Sequence, residues 1–563
     1  MRRNSPVVVC LGAILLLGSP FAGQSAPDSG TKFSSSTELV LVPTVVTDNS
    51  GKHVPNLKKE DFVLKEDGKA RTLSVFEEVT TDKSRLQRAT GEKGQFSNFD
   101  PGEGRHRLTI IVLDLINTPF NDLSNARKGL IDFLTRAAES GEPMCLLALD
   151  RGGVTAIHEF TSDPKILADA LGRLPSNSAP LIHENLVASA DLPPGNDAMA
   201  ESLRKLIRSL TQNEKQMESA ERRDTVILTM DGLNQIAAAL GGLPGRKSLI
   251  WASSGFSYSL SSPTKMMCEP ACPVDQRASV QGLYDRLWRT MNNAQIAIYS
   301  VDLRSLTAGN FQASSGNDQF TRPSQVGDPD FDKAAEANWE VHDTAASLKL
   351  FAENTGGKAF TNTNDLSEAF RQAVEDDTHY YLLGYYVNRN QTKPGWHKLA
   401  VTLEKKGLHP RYRNGFLRAD PNHEDTGPQQ IRLALLSPLD FTGIPMTVTW
   451  SGRGPGKDPG KGKVQFDLVM PANFAFVDET DQNHMNVEIA VVARNGKGEV
   501  AGQVSQKVDT HLKPEAWSQI RQSGMTYRNA LQLLPGDYTV RFVVRDVLSD
   551  RLGSVAVPLK LSP

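Results

Sequence analysis

Cys268 and Cys272, four residues apart between prolines in MCEPACP, are side chains whose type and spacing suggest chemistry directly. In an oxidising compartment the pair reads as a small local disulfide. A zinc site, the alternative, needs two further ligands, and only Glu269 and Asp275 lie near in the sequence. His158-Glu159 in VTAIHEF alternate along a strand pattern, so they face opposite ways and read as ordinary sheet residues. Asp478, Glu479, Asp481 and Asn483 form a carboxylate-rich stretch that lacks the Asp-x-Asp-x-Asp-Gly order of a dedicated calcium loop, which favours a solvated acidic turn. Asp114 closes the apolar run LTIIVLD where a polar turn leads into a helical pattern. Its carboxylate is placed to cap that turn, accepting backbone N–H bonds around Thr118 to Phe120. No catalytic residue is assigned: SSGFS lacks the leading glycine of a nucleophile elbow, and there is no His-Glu-x-x-His, Walker loop or Gly-x-Gly-x-x-Gly after a strand.

The elements that must position these residues follow from periodicity. From Arg107 to about Arg418, strand-like runs (LTIIVLDL, MCLLALD, VTAIHEF, SLIWASS, IAIYSVDL) alternate with amphipathic helical patterns, the signature of a parallel sheet wrapped by helices. Ala126, Leu130, Phe133, Leu134 and Ala137 share one helix face; Val226, Ile227, Met230, Leu233, Ile236, Ala237 and Leu240 share another. Cys145, inside MCLLAL, reads as a buried inert thiol. Two polar stretches, 175–221 and 305–335, interrupt the alternation as surface insertions. In front lies a small all-β unit over 37–80, with turns at Asp48 to Gly51 and Asp67-Gly68, then a linker over 81–106. THYYLLGYYVNRNQTKPGWHKLAVTLEKKG reads as a hairpin or meander that finishes the central unit. Its aromatic cluster Tyr380, Tyr381, Tyr385, Tyr386 and Trp396 suits a strand packed on both faces more than a ligand grip. Residues 430–563 alternate strands and turns as an antiparallel sandwich of the immunoglobulin or fibronectin type, with GRGPGKDPGKGK (452–463) as a flexible loop within it.

The length calls for several domains. A net charge of −3 with 23% charged residues provides no field that would draw the chain to nucleic acid. The opening MRRNSPVVVCLGAILLLGSPFAG has the layout of a secretory signal peptide, assigned to 1–26, with Cys10 inside its apolar stretch. No later run approaches the ~18 apolar residues of a membrane span. The expectation is a protein exported to the periplasm or beyond the cell.

The segments LDLINTPFNDLSNAR, HEFTSDPKILADAL, LPGRKSLIWASSGF, FAENTGGKAF, YYLLGYY and GWHKLAVTL, flanked by VVTDNSGKHVPNLKKEDFVLKEDGKA and LLPGDYTVRFVVRD, resemble the von Willebrand factor A-related proteins of acidobacteria. The resemblance covers nearly the whole mature chain. It implies a Rossmann-like α/β core (von Willebrand factor A-type) over 107–418, with flanking all-β domains. It also implies a ligand surface at the carboxyl ends of the strands.

In cation-binding members of that wider class the first strand ends in Asp-x-Ser-x-Ser, a threonine comes from a second loop, and an aspartate closes the fourth strand. The equivalent residues here are Asp114, Ile116 and Thr118, and the fourth strand ends in Trp251-Ala252-Ser253-Ser254-Gly255 without a carboxylate. Asn117 can offer an amide oxygen, Thr161 or Ser162 the second-loop hydroxyl, and Ser253 or Ser254 a weak ligand. With one carboxylate, Asp114 and Thr118 hold at most a weak Mg²⁺ or Mn²⁺, and no other cofactor is expected. The resemblance thus points to a non-enzymatic protein that binds another protein or an envelope component through Asp114, Asn117, Thr118, Thr161, Ser253 and Ser254. The rival readings are a structural scaffold whose β-domains pair edge to edge, and an enzyme with a centre hidden in the insertions.

Overall fold

The computed structural model describes residues 37–80, 94–98, 108–137, 142–173, 221, 223–255, 274–304, 344–376, 378–388, 393–418, 427–472, 474–475 and 483–562. The expected signal peptide, the insertions (apart from Glu221), Cys268, Cys272 and the acidic residues Asp478, Glu479 and Asp481 lie outside them.

A six-stranded sheet forms the centre. Its strands are β1 (Leu108–Asp114), β2 (Met144–Asp150), β3 (Gly153–Thr161), β4 (Lys247–Ser253), β5 (Ile296–Asp302) and β6 (Ala359–Phe360). They lie side by side in the order 3-2-1-4-5-6. Every pairing is parallel except that of β2 with β3. β1, β4 and β5 are buried along their whole length, which is why their sequences read as unbroken apolar runs.

Successive residues feed two cores. Ile111, Leu113, Leu146, Ile250 and Tyr299 pack with α1 (Phe120–Arg136), α2 (Pro164–Gly172) and α6 (Leu366–Glu375) on one face. Ile110, Val112, Leu147, Leu249, Trp251 and Ile298 pack on the other face with α3 (223–240), α4 (Val274–Asn293) and α5 (344–355). The buried stripe of α1 is Ala126, Leu130, Phe133 and Leu134, and each of the three large side chains contributes roughly 1.5–3 kcal/mol. Gly356, at φ +78°, turns the chain out of α5 toward β6.

The expectation that His379–Asn388 and Gly395–Leu403 finish this central unit is overturned. Strand His379–Asn388 lies between Thr37–Thr47 and Val75–Thr80, with His409–Arg411 on the outer edge. Gly395–Leu403 lies between Phe62–Glu66 and Gly415–Arg418, with Lys69–Arg71 beyond. These two sheets enclose Val40, Val42, Leu64, Tyr381, Leu383, Tyr385 and Val401, so 37–80 and 379–418 build one sandwich into which the central unit is inserted. Tyr380 and Leu382 point the other way, into a small second cluster. The expected two-faced burial holds for Tyr380, Tyr381 and Tyr385, while Tyr386 and Trp396 are exposed.

A second sandwich occupies the C-terminal part. One sheet orders Met525–Leu533, Gly462–Met470, Thr447–Pro455 and Gln95–Ser97; the other orders Val500–His511, His484–Asn495, Gly536–Asp546 and Arg551–Leu561. Its core includes Val448, Phe466, Val487, Val491, Phe542 and Val557. The span 81–106 is therefore more than a linker, since Gln95–Ser97 pairs with Thr447 to Thr449. The expected loop over 452–463 is shorter than expected, spanning 456–461, because Thr447–Pro455 pairs with Gly462–Met470 as a hairpin. α7 (Gly427–Leu436) precedes this sandwich, and its Ala434 carbonyl accepts from Arg541 Nε at 2.9 Å. α8 (Pro514–Ser523) lies between its last two described hairpins.

Candidate functional site

Parallel neighbours end at one level, so β1, β4 and β5 deliver Asp114, Ser253 and Asp302 to the same edge. Leu113 is level with Ala252, and Ser253 with Asp302. In the order 3-2-1-4-5-6 the chain runs outward from β1 in one direction and from β4 in the other. The gap between these two strands is the switch point where open α/β sheets present ligand crevices.

Asp114 is fully buried and its carboxylate is enclosed by donors. Oδ1 accepts from the backbone N–H of Ile116 and of Asn117, both at 3.0 Å. Oδ2 accepts from Asn117 Nδ2 at 2.9 Å, Trp251 Nε1 at 3.2 Å and Ser253 Oγ at 2.7 Å. An ionised carboxylate offers about four lone-pair directions, so these donors saturate it. Burial pushes its pKa above the ordinary carboxylate value, against the pull of Asn117 and Ser253. The capping expected of Asp114 does occur, two residues earlier than expected: the bonded amides are those of Ile116 and Asn117.

Around this anchor the loops interlock. Asn117 Nδ2 also donates to Thr229 Oγ1 on α3 at 2.8 Å. Thr118 Oγ1 accepts from the Ser254 amide at 3.3 Å, and Ser254 Oγ donates to Asp122 Oδ2 at 3.0 Å. Burial, with Asp302 nearby, raises the pKa of Asp122. Asp302 is gripped by its neighbour: Arg304 Nε donates to Oδ1 at 2.9 Å and Arg304 Nη2 to Oδ2 at 2.7 Å.

Of the six residues expected to form the site, Asp114, Asn117, Thr118, Ser253 and Ser254 come together and Thr161 does not. β3 runs antiparallel, so Thr161 is level with Met144 at the start of β2, while Asp114 is level with Leu149 near its end. Five residues of strand separate these levels, on the order of 16 Å. The expected second-loop hydroxyl therefore sits at the opposite edge of the sheet, where Thr161 Oγ1 accepts from the Asp163 amide at 3.1 Å. Ser162 follows Thr161 at that same edge.

Asp122, Thr229, Trp251, Asp302 and Arg304 belong to the cluster and were not singled out from sequence. Asp302 carried a readable signal, because IAIYSVD ends in a carboxylate just as LTIIVLD does. Trp251 carried none, its indole N–H being hidden in an apolar run.

The arrangement presents a polar, hydrogen-bonded edge. Ser254 and Asp122 make a hydroxyl–carboxylate contact with no imidazole between them. A cation at Asp114 would have to displace Trp251 Nε1, Ser253 Oγ or the Asn117 amide from oxygens already filled. Among the described residues, three His, Asp or Glu side chains with converging ligand atoms occur at Glu66, Asp67 and His397, outside this site. Cys145 is buried as expected and its thiol is pushed up by burial.

No protein-family model and no curated protein matches the chain. Among solved structures, a glycosyl hydrolase family 2 member from Bacteroides cellulosilyticus DSM 14838 aligns at 11% identity and TM-score 0.15, over 32% of this chain and 20% of that one. A β-galactosidase described as putative, from Bacteroides fragilis, aligns at 11% identity and TM-score 0.15, over 29% of this chain and 26% of that one. The open conformation of the pilus adhesin SpaC from Lactobacillus rhamnosus GG aligns at 9% identity and TM-score 0.25, over 87% of this chain and 70% of that one. The chain thus spans 20% to 26% of the length of these two glycosidases. At such TM-scores none of these likenesses carries an argument about fold or function.

Proposed function

We propose that this is an exported, non-enzymatic binding protein whose central unit is a von Willebrand factor A-type domain with a degenerate metal-ion-dependent adhesion site. It recognises another protein or an envelope component through the polar edge around Asn117, Asp122, Ser254 and Arg304. The sheet order and the helices on both faces support the domain reading. The observation that carries the mode of recognition is the filled Asp114 carboxylate at the switch point. In a metal-dependent site that carboxylate would be spent on the ion; here it is spent on positioning the β1 and β4 loops, so recognition is metal-free. No helix among the described residues is long and apolar enough to cross a membrane.

Photo-crosslinking on the full chain tests this reading. A photoreactive residue at 117 or 254 should give a discrete adduct with cell-envelope material, unchanged in EDTA and competed by unlabelled protein. The same probe at Lys507, on the outer strand of the C-terminal sandwich, should give none. Adducts from position 507 alone would favour an edge-paired scaffold, and loss of the 117 and 254 adducts in EDTA would restore a metal-dependent site.

A further inference from the structure

The front sandwich holds a second constellation, unrelated to the strand-end site. Strand Phe62–Glu66 turns through Asp67 (φ +48°) and Gly68 (φ +79°) into Lys69–Arg71. This tight hairpin is pinned to the strand Gly395–Leu403. The Asp67 amide donates to the Lys398 carbonyl at 2.9 Å, and the Lys398 amide donates to Asp67 Oδ1 at 2.9 Å. His397 then projects between the two acidic side chains. Its Nδ1 is 2.8 Å from Asp67 Oδ2 and 3.5 Å from Glu66 Oε1. Glu66 is 2% exposed and His397 is 8% exposed.

These contacts bring three electron-pair donors together. His397 Nε2 is 2.7 Å from the Lys393 carbonyl, which can only accept, so Nε2 carries a hydrogen. In the neutral ring Nδ1 is then a lone pair, and it faces two carboxylate oxygens that also only accept. Three acceptors that meet in this way require a positive species among them, either a proton on Nδ1 or a metal ion. Each of the three ligands is also oriented by its other polar atom, as metal ligands are. Arg71 Nε donates to Glu66 Oε2 at 2.9 Å, the Lys398 amide holds Asp67 Oδ1, and the Lys393 carbonyl holds His397 Nε2. Beside Glu66 the Tyr385 hydroxyl is buried without a hydrogen bond of normal geometry.

We propose that His397 Nδ1, Glu66 Oε1 and Asp67 Oδ2 bind a zinc-class divalent cation. The three ligand atoms lie within 4.8 Å of one another, so small side-chain rotations bring them to the ~2.0–2.2 Å of Zn–N and Zn–O bonds. One imidazole with two carboxylates suits Zn²⁺ or Co²⁺ and not Ca²⁺, which wants an all-oxygen shell. The ion would staple two segments that are 330 residues apart in the chain.

The test is titration calorimetry on the purified full chain after chelator treatment, with Zn²⁺, Co²⁺ and Ca²⁺ as separate probes. Zn²⁺ should bind at one equivalent. Co²⁺ should give the visible absorption of a low-coordinate N/O site. His397→Asn and Asp67→Asn should each weaken Zn²⁺ about 100-fold or more; Asp67→Asn keeps a side-chain acceptor for the Lys398 amide, so the hairpin survives if His397→Asn unfolds. Absence of stoichiometric Zn²⁺ binding to the wild type, or binding unchanged in folded Asp67→Asn protein, overturns the proposal. So does tight Ca²⁺ binding that persists in His397→Asn.

Discussion

Trp251 on β4 donates its indole N–H to the carboxylate of Asp114 on β1, 3.2 Å away and sealed from water, so one hydrogen bond ties the two strands on either side of the switch point. The tryptophan serves two purposes: its ring packs at 5.1 Å from Phe351 on α5 while its nitrogen holds the anion. Trp251→Phe should lower unfolding free energy by about 1–3 kcal/mol, measured by urea denaturation. Asp114→Asn should cost on the order of 3 kcal/mol, because the new amide nitrogen points at donors. The two changes should be non-additive in a double-mutant cycle.

The front sandwich should weaken in mild acid. Both ring nitrogens of His53 are shielded from water, with the Val46 backbone beside them. Burial, and then His379 stacked 5.0 Å away, depress its pKa below 6.5, while Glu78 and Asp376 oppose. The unfolded chain therefore takes up the proton more readily than the folded one. Stability from this residue is complete above about pH 6.5 and is lost as pH falls toward the depressed folded value. The melting temperature of the wild type should drop between pH 7 and pH 5, and His53→Phe should flatten that slope.

Adjacent glycines should respond unequally. Gly356 needs its left-handed φ of +78°, and alanine there should cost about 1–2 kcal/mol plus a tight approach to the Arg413 amide. At Gly357 an added Cβ would lie 1.9 Å from the Ile298 carbonyl oxygen, inside β5. Gly357→Ala should cost more than about 4 kcal/mol or prevent folding, which circular dichroism and denaturation would separate from the milder Gly356→Ala.

Fragments should reveal the insertion. A fragment over 107–418 carries His379–Asn388 without either strand that flanks it, and Gly395–Leu403 without Phe62–Glu66, leaving apolar edges open, and should aggregate on size-exclusion chromatography. A fragment over 108–376 omits them and should stay monomeric.

The central sheet was legible because strands buried on both faces read as apolar runs and their helices as single stripes; LTIIVLD and the stripe Ala126, Leu130, Phe133, Leu134 needed no partner to be recognised. Strand direction was not legible. Hydropathy is the same for a strand read either way, so Thr161 was assigned to the wrong edge. Nor was sheet membership: Tyr381 donates to the Val54 carbonyl across 327 positions, and nothing in YYLLGYY says whether its neighbours lie just before it or far upstream. Glu66, Asp67 and His397 went unnoticed for the same reason. Each is unremarkable alone, and their meeting is a product of that long-range pairing.

The insertion of the central unit into the front sandwich also determines how the molecule would carry mechanical load. Thr37 lies level with Asn388 and Thr44 with Tyr381, so a pull applied to the two ends of the described chain passes across these paired strands. The parallel sheet enters and leaves through this closure and is also tied to the C-terminal sandwich, where the Thr442 amide donates to the Ala239 carbonyl of α3 at 2.8 Å and Gln95–Ser97 pairs with Thr447 to Thr449. The strand-end edge is thus braced between two sandwiches, and a load on the ends of the described chain would be shared by both seams.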